Sequence, residues 1–152
     1  MRRVEYMLGG EDFNKMTAGH FKQTEVYCFS ETSSVVDIIS AMTMGGFGSV
    51  PITTNGKVLV GIVSEFDLLE AIKKGQDLRA LKAKDIMIKD VVAVTEDTPV
   101  DQIISILQDR HFIRVPVVDE AHVLTGVVAR RDILLGFLKS VESGPTMAFN
   151  LL

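Results

Sequence analysis

Two stretches of this chain carry the same pattern. Residues 49–69 are SVPITTNGKVLVGIVSEFDLL, and residues 114–134 are RVPVVDEAHVLTGVVARRDIL. An offset of 65 residues aligns Val50-Pro51 with Val115-Pro116, Gly61 with Gly126 and Asp67 with Asp132. A fixed offset of this kind indicates a tandem structural repeat, in which each copy is one supersecondary unit.

Within each copy, apolar periodicity predicts the order β-α-β-β-α. Strands are expected over 25–30, 49–53 and 57–63 in the first copy, and over 91–94, 115–118 and 123–128 in the second. Helices are expected from Val35 and over 66–74, then from Pro99 and over 132–138. Asn55-Gly56 predicts a two-residue hairpin with positive φ at both residues. Pro99 is predicted at the first helical position, where its missing N–H costs nothing.

The repeat divides the chain into four segments and favours an α+β fold. We predict an N-terminal tail over 1–15, a first repeat over 16–76, a second repeat over 77–139 and a C-terminal tail over 140–152. A single repeat of about sixty residues buries only a modest core by itself. We therefore expect the two copies to share one hydrophobic seam.

The composition is typical of a globular protein. Hydrophobic residues make up 47% of the 152 residues and charged residues 24%, with a net charge of −4. This acidic balance argues against general nucleic-acid binding. No apolar run approaches the roughly twenty residues of a membrane helix, and the apolar piece after Met1-Arg2-Arg3 is too short for a signal peptide. We therefore expect a cytoplasmic protein.

A short polar segment follows the third strand of each copy. It contains Ser64 and Asp67 in the first copy, and Ala129 and Asp132 in the second. A helix N-terminus presents unpaired N–H groups and favours anions. A carboxylate in the first helical turn can also accept hydrogen bonds from two sugar hydroxyls. This combination suits a nucleoside phosphate, but the same side chains can equally serve only as helix caps.

The whole ordered pattern resembles a CBS pair, the tandem module named after cystathionine β-synthase. The resemblance covers residues from about 17 to 139. It is carried by Val50-Pro51, Asn55-Gly56 and residues 61–69 in the first copy, and by residues 85–87, 115–119 and 126–134 in the second. It implies two repeats packed about a pseudo-twofold axis, with two clefts between the sheets.

The resemblance also implies which residues bind a ligand. In the family, the aspartate of the [ST]-x-x-D turn holds the ribose hydroxyls, which corresponds to Asp67 with Ser64 and to Asp132. The second copy departs from this pattern, because Ala129 stands where Ser or Thr is usual. The adenine walls are expected from the Val-Pro dipeptides and the entry segment: Val50, Pro51, Val115, Pro116, Ile86 and Met87.

The positive charge differs between the two copies. Arg114 stands where related modules place a phosphate-binding arginine, and its counterpart in the first copy is Ser49. Arg130 adds charge beside the second helix start, where the first copy has Glu65. We therefore expect two unequal clefts, one of which prefers ligands with more phosphate.

These features favour a regulatory module over an enzyme. No nucleophile–base pair, acid–base carboxylate pair, metal cluster or Walker sequence stands out, so no catalytic or metal-binding residue is predicted. The expected ligand contains adenosine: AMP, ADP or ATP, or else S-adenosylmethionine or NAD. No obligatory cofactor is expected. The alternative is a structural dimerisation module whose clefts stay empty.

The expected partners are a second copy of the chain and an effector protein that the sequence does not identify. The resemblance implies a homodimer through the second helix of each copy. Its expected apolar face consists of Leu68, Leu69 and Ile72 with Ile133, Leu134 and Phe137. Apolar patches of that size rarely stay exposed on monomers. Neither nucleic acid nor membrane is expected as a partner.

Overall fold

Both repeats contain the same elements in the same order. These are a short helix, a longer helix, two strands that form one small sheet, and a final helix. A computed structural model describes residues 12–110 and 112–141. The elements are α1 (Ala18–Phe21), α2 (Val35–Gly45), β1 (Ser49–Thr53), β2 (Leu59–Ser64), α3 (Glu65–Lys73), α4 (Ala83–Ile86), α5 (Val100–Asp109), β3 (Arg114–Val118), β4 (Leu124–Ala129) and α6 (Arg130–Val141). The α+β fold is confirmed. Residues 1–11 and 142–152, which make up most of the two expected tails, lie outside the described residues.

Each sheet is built on an antiparallel hairpin. Strand β1 pairs with β2, and β3 pairs with β4. Val50 lies opposite Val63 in the first hairpin, and Val115 lies opposite Val128 in the second. All four of these side chains are completely buried. The apolar residues that predicted these strands therefore lie in the two cores, and β1 and β3 are buried on both faces after their first residue.

The predicted first strand of each repeat is reduced to one residue. Phe29 alone pairs in parallel with Ile52, and Val94 alone pairs with Val117. A longer ladder would need a backbone N–H at Pro51 or Pro116, and proline has none. The predictions of full strands over 25–30 and 91–94 were therefore wrong in extent, because the Val-Pro dipeptide stops the ladder.

The hairpin loops differ from the predicted two-residue turn. Positive φ occurs not at Asn55 or Gly56 but at Lys57 (61°), and again at the aligned residue His122 (64°). The N–H of Lys57 donates to the carbonyl of Thr54, which gives a three-residue loop that ends in a left-handed residue. Helix α5 also starts one residue later than predicted, with Pro99 as its N-cap.

The two left-handed residues join the hairpins to each other. The N–H of Leu59 donates to the carbonyl of His122 (3.0 Å), and the N–H of Leu124 donates to the carbonyl of Lys57 (2.9 Å). The repeat offset of 65 residues aligns the donor and acceptor of one bond with the donor and acceptor of the other. The contact therefore lies on the approximate twofold axis that relates the repeats, and it requires the left-handed conformation at both turns.

The short helices α1 and α4 exchange places between the repeats. Ala18 and Phe21 of α1 are buried in the core of the second repeat, next to Val94 and Ile103. Ala83 of α4 is buried in the core of the first repeat. The spatial cores therefore do not coincide with a division at residues 76 and 77, and each repeat completes its core with the leading segment of the other.

The segment after each short helix reaches the last strand of the partner repeat. Gln23 and Val127 exchange two backbone hydrogen bonds (2.8 and 3.0 Å), and Ile88 and Ile62 exchange two in the same way (2.9 and 3.0 Å). Close approach is possible because each strand has a glycine beside this crossing. A Cβ on Gly126 would lie 2.5 Å from the carbonyl oxygen of Gln23.

Adding that Cβ tests the crossing. We expect Gly126→Ala to lower the free energy of unfolding by about 1–3 kcal/mol, because the carbonyl of Gln23 belongs to a fixed backbone. The aligned variant Gly61→Ala is the control, since its Cβ would meet the flexible sulfur of Met87 at 2.5 Å. It should cost less. Urea denaturation of both variants measures the difference, and an equal loss in the two would contradict the crossing as described.

Candidate functional site

A cleft of about 400 Å³ lies between the two repeats. Its volume falls in the range of small-molecule sites. Both repeats contribute to the lining, and most of the lining surface is apolar. The lining residues are Gly48, Ser49, Ile62, Ser64, Glu65, Phe66 and Asp67 from the first repeat, and Ile88, Asp90, Val91, Val92, Arg110, Phe112, Ile113, Arg114 and Pro116 from the rest of the chain.

Ser64 and Asp67 form the polar end of this cleft at the start of α3. The Ser64 hydroxyl oxygen accepts from the N–H of Asp67 (3.2 Å) and donates to Asp67 Oδ2 (2.8 Å). Asp67 Oδ2 also accepts from the N–H of Ser64 (3.0 Å). This is a capping box, and it fixes both side chains against the helix start. Ser64 and Asp67 therefore do cap α3, as the alternative interpretation of these residues predicted.

Capping uses only one of the two carboxylate oxygens of Asp67. Within residues 12–110 and 112–141, no donor contacts Asp67 Oδ1. The side chain is half-buried and lines the cleft. A carboxylate oxygen that keeps its acceptor positions can bind hydroxyl groups from a ligand. Helix capping and ligand binding are thus compatible at this residue.

The cationic side of the cleft comes from the second repeat. Arg114 begins β3 and lines the cleft, and its guanidinium carbon lies 5.8 Å from the ring centre of Phe47. Phe47 in turn stacks on Tyr27, with ring centres 5.6 Å apart. The aromatic face orients the guanidinium through a cation–π contact. The structure therefore brings a carboxylate of one repeat and an arginine of the other to the same cleft.

Further charged residues line the cleft together with Arg114. Arg110, at the end of α5, lines the cleft, as do the carboxylates Glu65 and Asp90. Sequence reasoning did not identify Arg110 or Asp90, which lie outside the repeated motif, and it named Glu65 only as the counterpart of Arg130. The alignment contains a signal for one of these charged residues, since Glu65 corresponds to Arg130 under the offset.

Asp132, the aligned carboxylate of the second repeat, is in a different state. It is 1% exposed. Its two oxygens accept from Gln23 Nε2 at 3.2 and 3.0 Å, and Oδ2 accepts from the N–H of Ala129 at 2.8 Å. Arg130 is exposed and donates through Nε to the carbonyl of Phe112. It lines a groove between α5 and α6 and not the cleft at Asp67.

The predicted adenine walls divide between the cleft and the cores. Pro116 lines the cleft. The structure places Val50 and Val115 in the cores, where both are completely buried, and Pro51 is buried beside them. The last two, Ile86 and Met87, belong to the first core. Val92 and Phe112 supply apolar walls instead.

The described part of the chain has neither a clustered metal site nor a membrane-spanning helix. Within it, no three or more histidine, cysteine, aspartate or glutamate side chains come together as a metal site would require. Nor does any helix among residues 12–110 and 112–141 have the length and apolar content of a membrane span.

The repeat architecture has a direct counterpart among known families. The family model described as the CBS domain matches residues 18–74 and again 83–139. The chain belongs to the CBS domain family. Its two repeats form a CBS pair, as the resemblance in the sequence predicted.

Relatives of this CBS pair include proteins with other regions. The chain is 32% identical over 120 residues to an uncharacterised protein of Methanopyrus kandleri, covering 78% of this chain and 61% of that protein. It is 30% identical over 110 residues to inosine-5'-monophosphate dehydrogenase of Methanocaldococcus jannaschii, covering 72% of this chain and 21% of the enzyme. The chain therefore spans less than two thirds of these two relatives.

Solved CBS pairs share the fold at lower identity. CBSX2 of Arabidopsis thaliana, in complex with AMP, aligns with a TM-score of 0.69 and 24% identity, over 78% of this chain and 93% of that one. A CBS domain pair in complex with 5'-methylthioadenosine and S-adenosyl-L-methionine aligns with a TM-score of 0.72 and 22% identity, over 80% and 95%. These likenesses establish the architecture of the repeats.

Proposed function

We propose that this CBS pair is a regulatory module that binds an adenosine-containing ligand in the cleft at Asp67. The observation that carries the proposal is the position of the Asp67 carboxylate. One of its oxygens caps α3, and the side chain lies on the wall of a cleft of about 400 Å³. The solved CBS pairs with AMP, methylthioadenosine and S-adenosylmethionine support the ligand class.

The cleft offers a suitable environment for each part of such a ligand. Apolar side chains, including Ile62, Val92 and Phe112, suit a flat base. Asp67 Oδ1 suits the ribose hydroxyls, because an ionised carboxylate forms stronger hydrogen bonds than a neutral acceptor. Arg114 suits a phosphate group. AMP, ADP or ATP would use all three regions, whereas S-adenosylmethionine would use the first two.

Ligand binding without a chemical reaction is enough to explain the polar side chains that line the cleft. Ser49 and Ser64 supply the hydroxyls that line the cleft, and the Ser64 hydroxyl donates to the carboxylate that caps α3 (2.8 Å). Its proton is therefore engaged in holding the helix start.

We propose that the module transmits ligand binding to an effector protein. Cys28, the one cysteine of the chain, is free, which is consistent with a cytoplasmic location.

Removing the Asp67 carboxylate tests the ligand site. We expect Asp67→Ala to weaken AMP binding about ten- to a hundredfold, because it removes one or two charge-assisted hydrogen bonds to the ribose. Isothermal titration calorimetry measures the affinity. The matched control is Asp85→Ala, since Asp85 Oδ2 caps α4 in the same way by accepting from the N–H of Lys82 (2.8 Å). If both variants keep full affinity, Asp67 is only a cap.

The role of Arg114 is tested by changing the phosphate count. We expect ATP and ADP to bind more tightly than AMP, and Arg114→Ala to flatten this preference, because the variant loses the guanidinium that faces the phosphates. The preference should also shrink between low and high salt, since exposed charges are screened over about 10 Å at 0.1 M. Arg79→Ala, at an exposed site outside the cleft, is the control. An unchanged preference in Arg114→Ala would refute the assignment.

The exposed faces of α3 and α6 support a second proposal, a homodimer. Leu69 is 65% exposed and Leu134 is 69% exposed, and Phe66 and Ile72 are exposed beside Leu69 on α3. Leu68 and Ile133 were expected on this face, but they are buried in the cores, because each points inward from its helix. Twofold pairing is the commonest way to cover such a face. A purely structural dimer with empty clefts is the alternative function that these residues favour.

Light scattering at micromolar concentration tests the dimer. We expect a mass of about twice the 16.7 kDa of one chain. The double variant Leu69→Glu, Leu134→Glu should be monomeric, because it places charges in the proposed apolar interface. Glu120→Lys, in the β3–β4 hairpin, changes a charge away from the helices and should leave the mass unchanged. A wild-type mass near that of one chain would exclude the dimer.

A further inference from the structure

One pair of aligned residues lies next to the two ribose carboxylates and differs in chemistry. Gln23 lies beside Asp132, and its aligned counterpart Ile88 lines the cleft at Asp67. We propose that Gln23 closes the second ligand site from within, so that each chain binds one adenosine ligand and not two. This inference rests on the proposed function of the cleft at Asp67.

The contacts of Gln23 satisfy the second carboxylate. Its side-chain nitrogen lies 3.2 Å from Asp132 Oδ1 and 3.0 Å from Oδ2, so one amide group spans both oxygens. By comparison with Asp67, ribose hydroxyls would need Asp132 Oδ1, since Oδ2 already accepts from the N–H of Ala129. Since Asp132 is only 1% exposed, a ligand cannot reach it without displacing the amide. The carboxylate is thus present in both repeats but accessible in only one.

The backbone pairing is the same at the two sites, while the side chain at the aligned position differs. Gln23 exchanges two hydrogen bonds with Val127, and Ile88 exchanges two with Ile62. Ile88 has no polar group to offer Asp67 and is 48% exposed at the cleft. The first site therefore stays open because an isoleucine occupies the position from which a glutamine closes the second.

The glutamine is also held firmly in place. Its neighbour Lys22 is buried and forms an ion pair with Glu96 (Nζ–Oε1 3.3 Å). The backbone of Gln23 lies against Gly126, which leaves no room for the chain to shift inward. A ligand would have to rotate the side chain alone and would break both of its bonds to a buried carboxylate, which is unfavourable.

Exchanging the two side chains tests the proposal. The variants are Gln23→Ile, which copies the open site, and Ile88→Gln, which copies the closed one. Native mass spectrometry and calorimetry with AMP count the ligands per chain. We expect one AMP for wild type, two for Gln23→Ile, and at least tenfold weaker binding for Ile88→Gln. Gln23→Ser replaces Gln23→Ile if the latter does not fold, because serine is polar but too short to span Asp132.

The double variant Asp67→Ala, Gln23→Ile locates the new site. It should retain one AMP, bound at Asp132, whereas Asp67→Ala alone should bind weakly. Two AMP per wild-type chain would overturn the closure by Gln23 while leaving the proposed function intact. One AMP for a folded Gln23→Ile or Gln23→Ser variant would also overturn it. Binding to Gln23→Ile but not to wild type would support the closure and refute the cleft at Asp67, and no binding to any variant would refute both.

Discussion

The exchange of the leading segments between the two repeats is the constraint on which the rest of this structure depends. Helix α1 completes the second core and α4 completes the first. A single repeat would lack part of its apolar cover, so neither is expected to be stable by itself. The chain that leaves each short helix then pairs with the last strand of the partner repeat. That pairing places Gln23 beside Asp132 and Ile88 on the wall of the cleft at Asp67.

The two helix starts show how one motif can have two outcomes. In the first repeat, Ser64 and Asp67 cap α3 through one carboxylate oxygen and leave the other toward the cleft. In the second repeat, Asp132 accepts from the backbone of Ala129 and from Gln23, which uses both oxygens. The same aspartate is therefore a candidate ligand anchor in one copy and a buried structural residue in the other.

Local patterns predicted the regular elements well and the irregular ones poorly. Short apolar stretches located β1 and β3 to within a residue, because strands buried on both faces read as short apolar runs. The Asn55-Gly56 turn was predicted with the wrong conformation. There, the carbonyl of Lys57 must accept from Leu124 in the other hairpin, and this tertiary contact requires the left-handed residue at Lys57 itself. The first strand of each repeat was predicted too long, although the sequence shows the reason why it is short. Pro51 and Pro116 have no N–H to donate in a parallel ladder.

The sequence by itself determined the tandem repeat, the hairpins, the helices and the family, since all of these depend on residues close together in the chain. It also pointed to Ser64, Asp67 and Arg114 through the repeated motif and the family resemblance. Only the tertiary structure decided that Asp67 and Arg114 line one cleft, that Val50 and Val115 belong to the cores, and that Gln23 binds Asp132. Gln23 and Asp132 are 109 residues apart. No local pattern encodes such a contact, because it exists only once the two repeats have exchanged their leading segments.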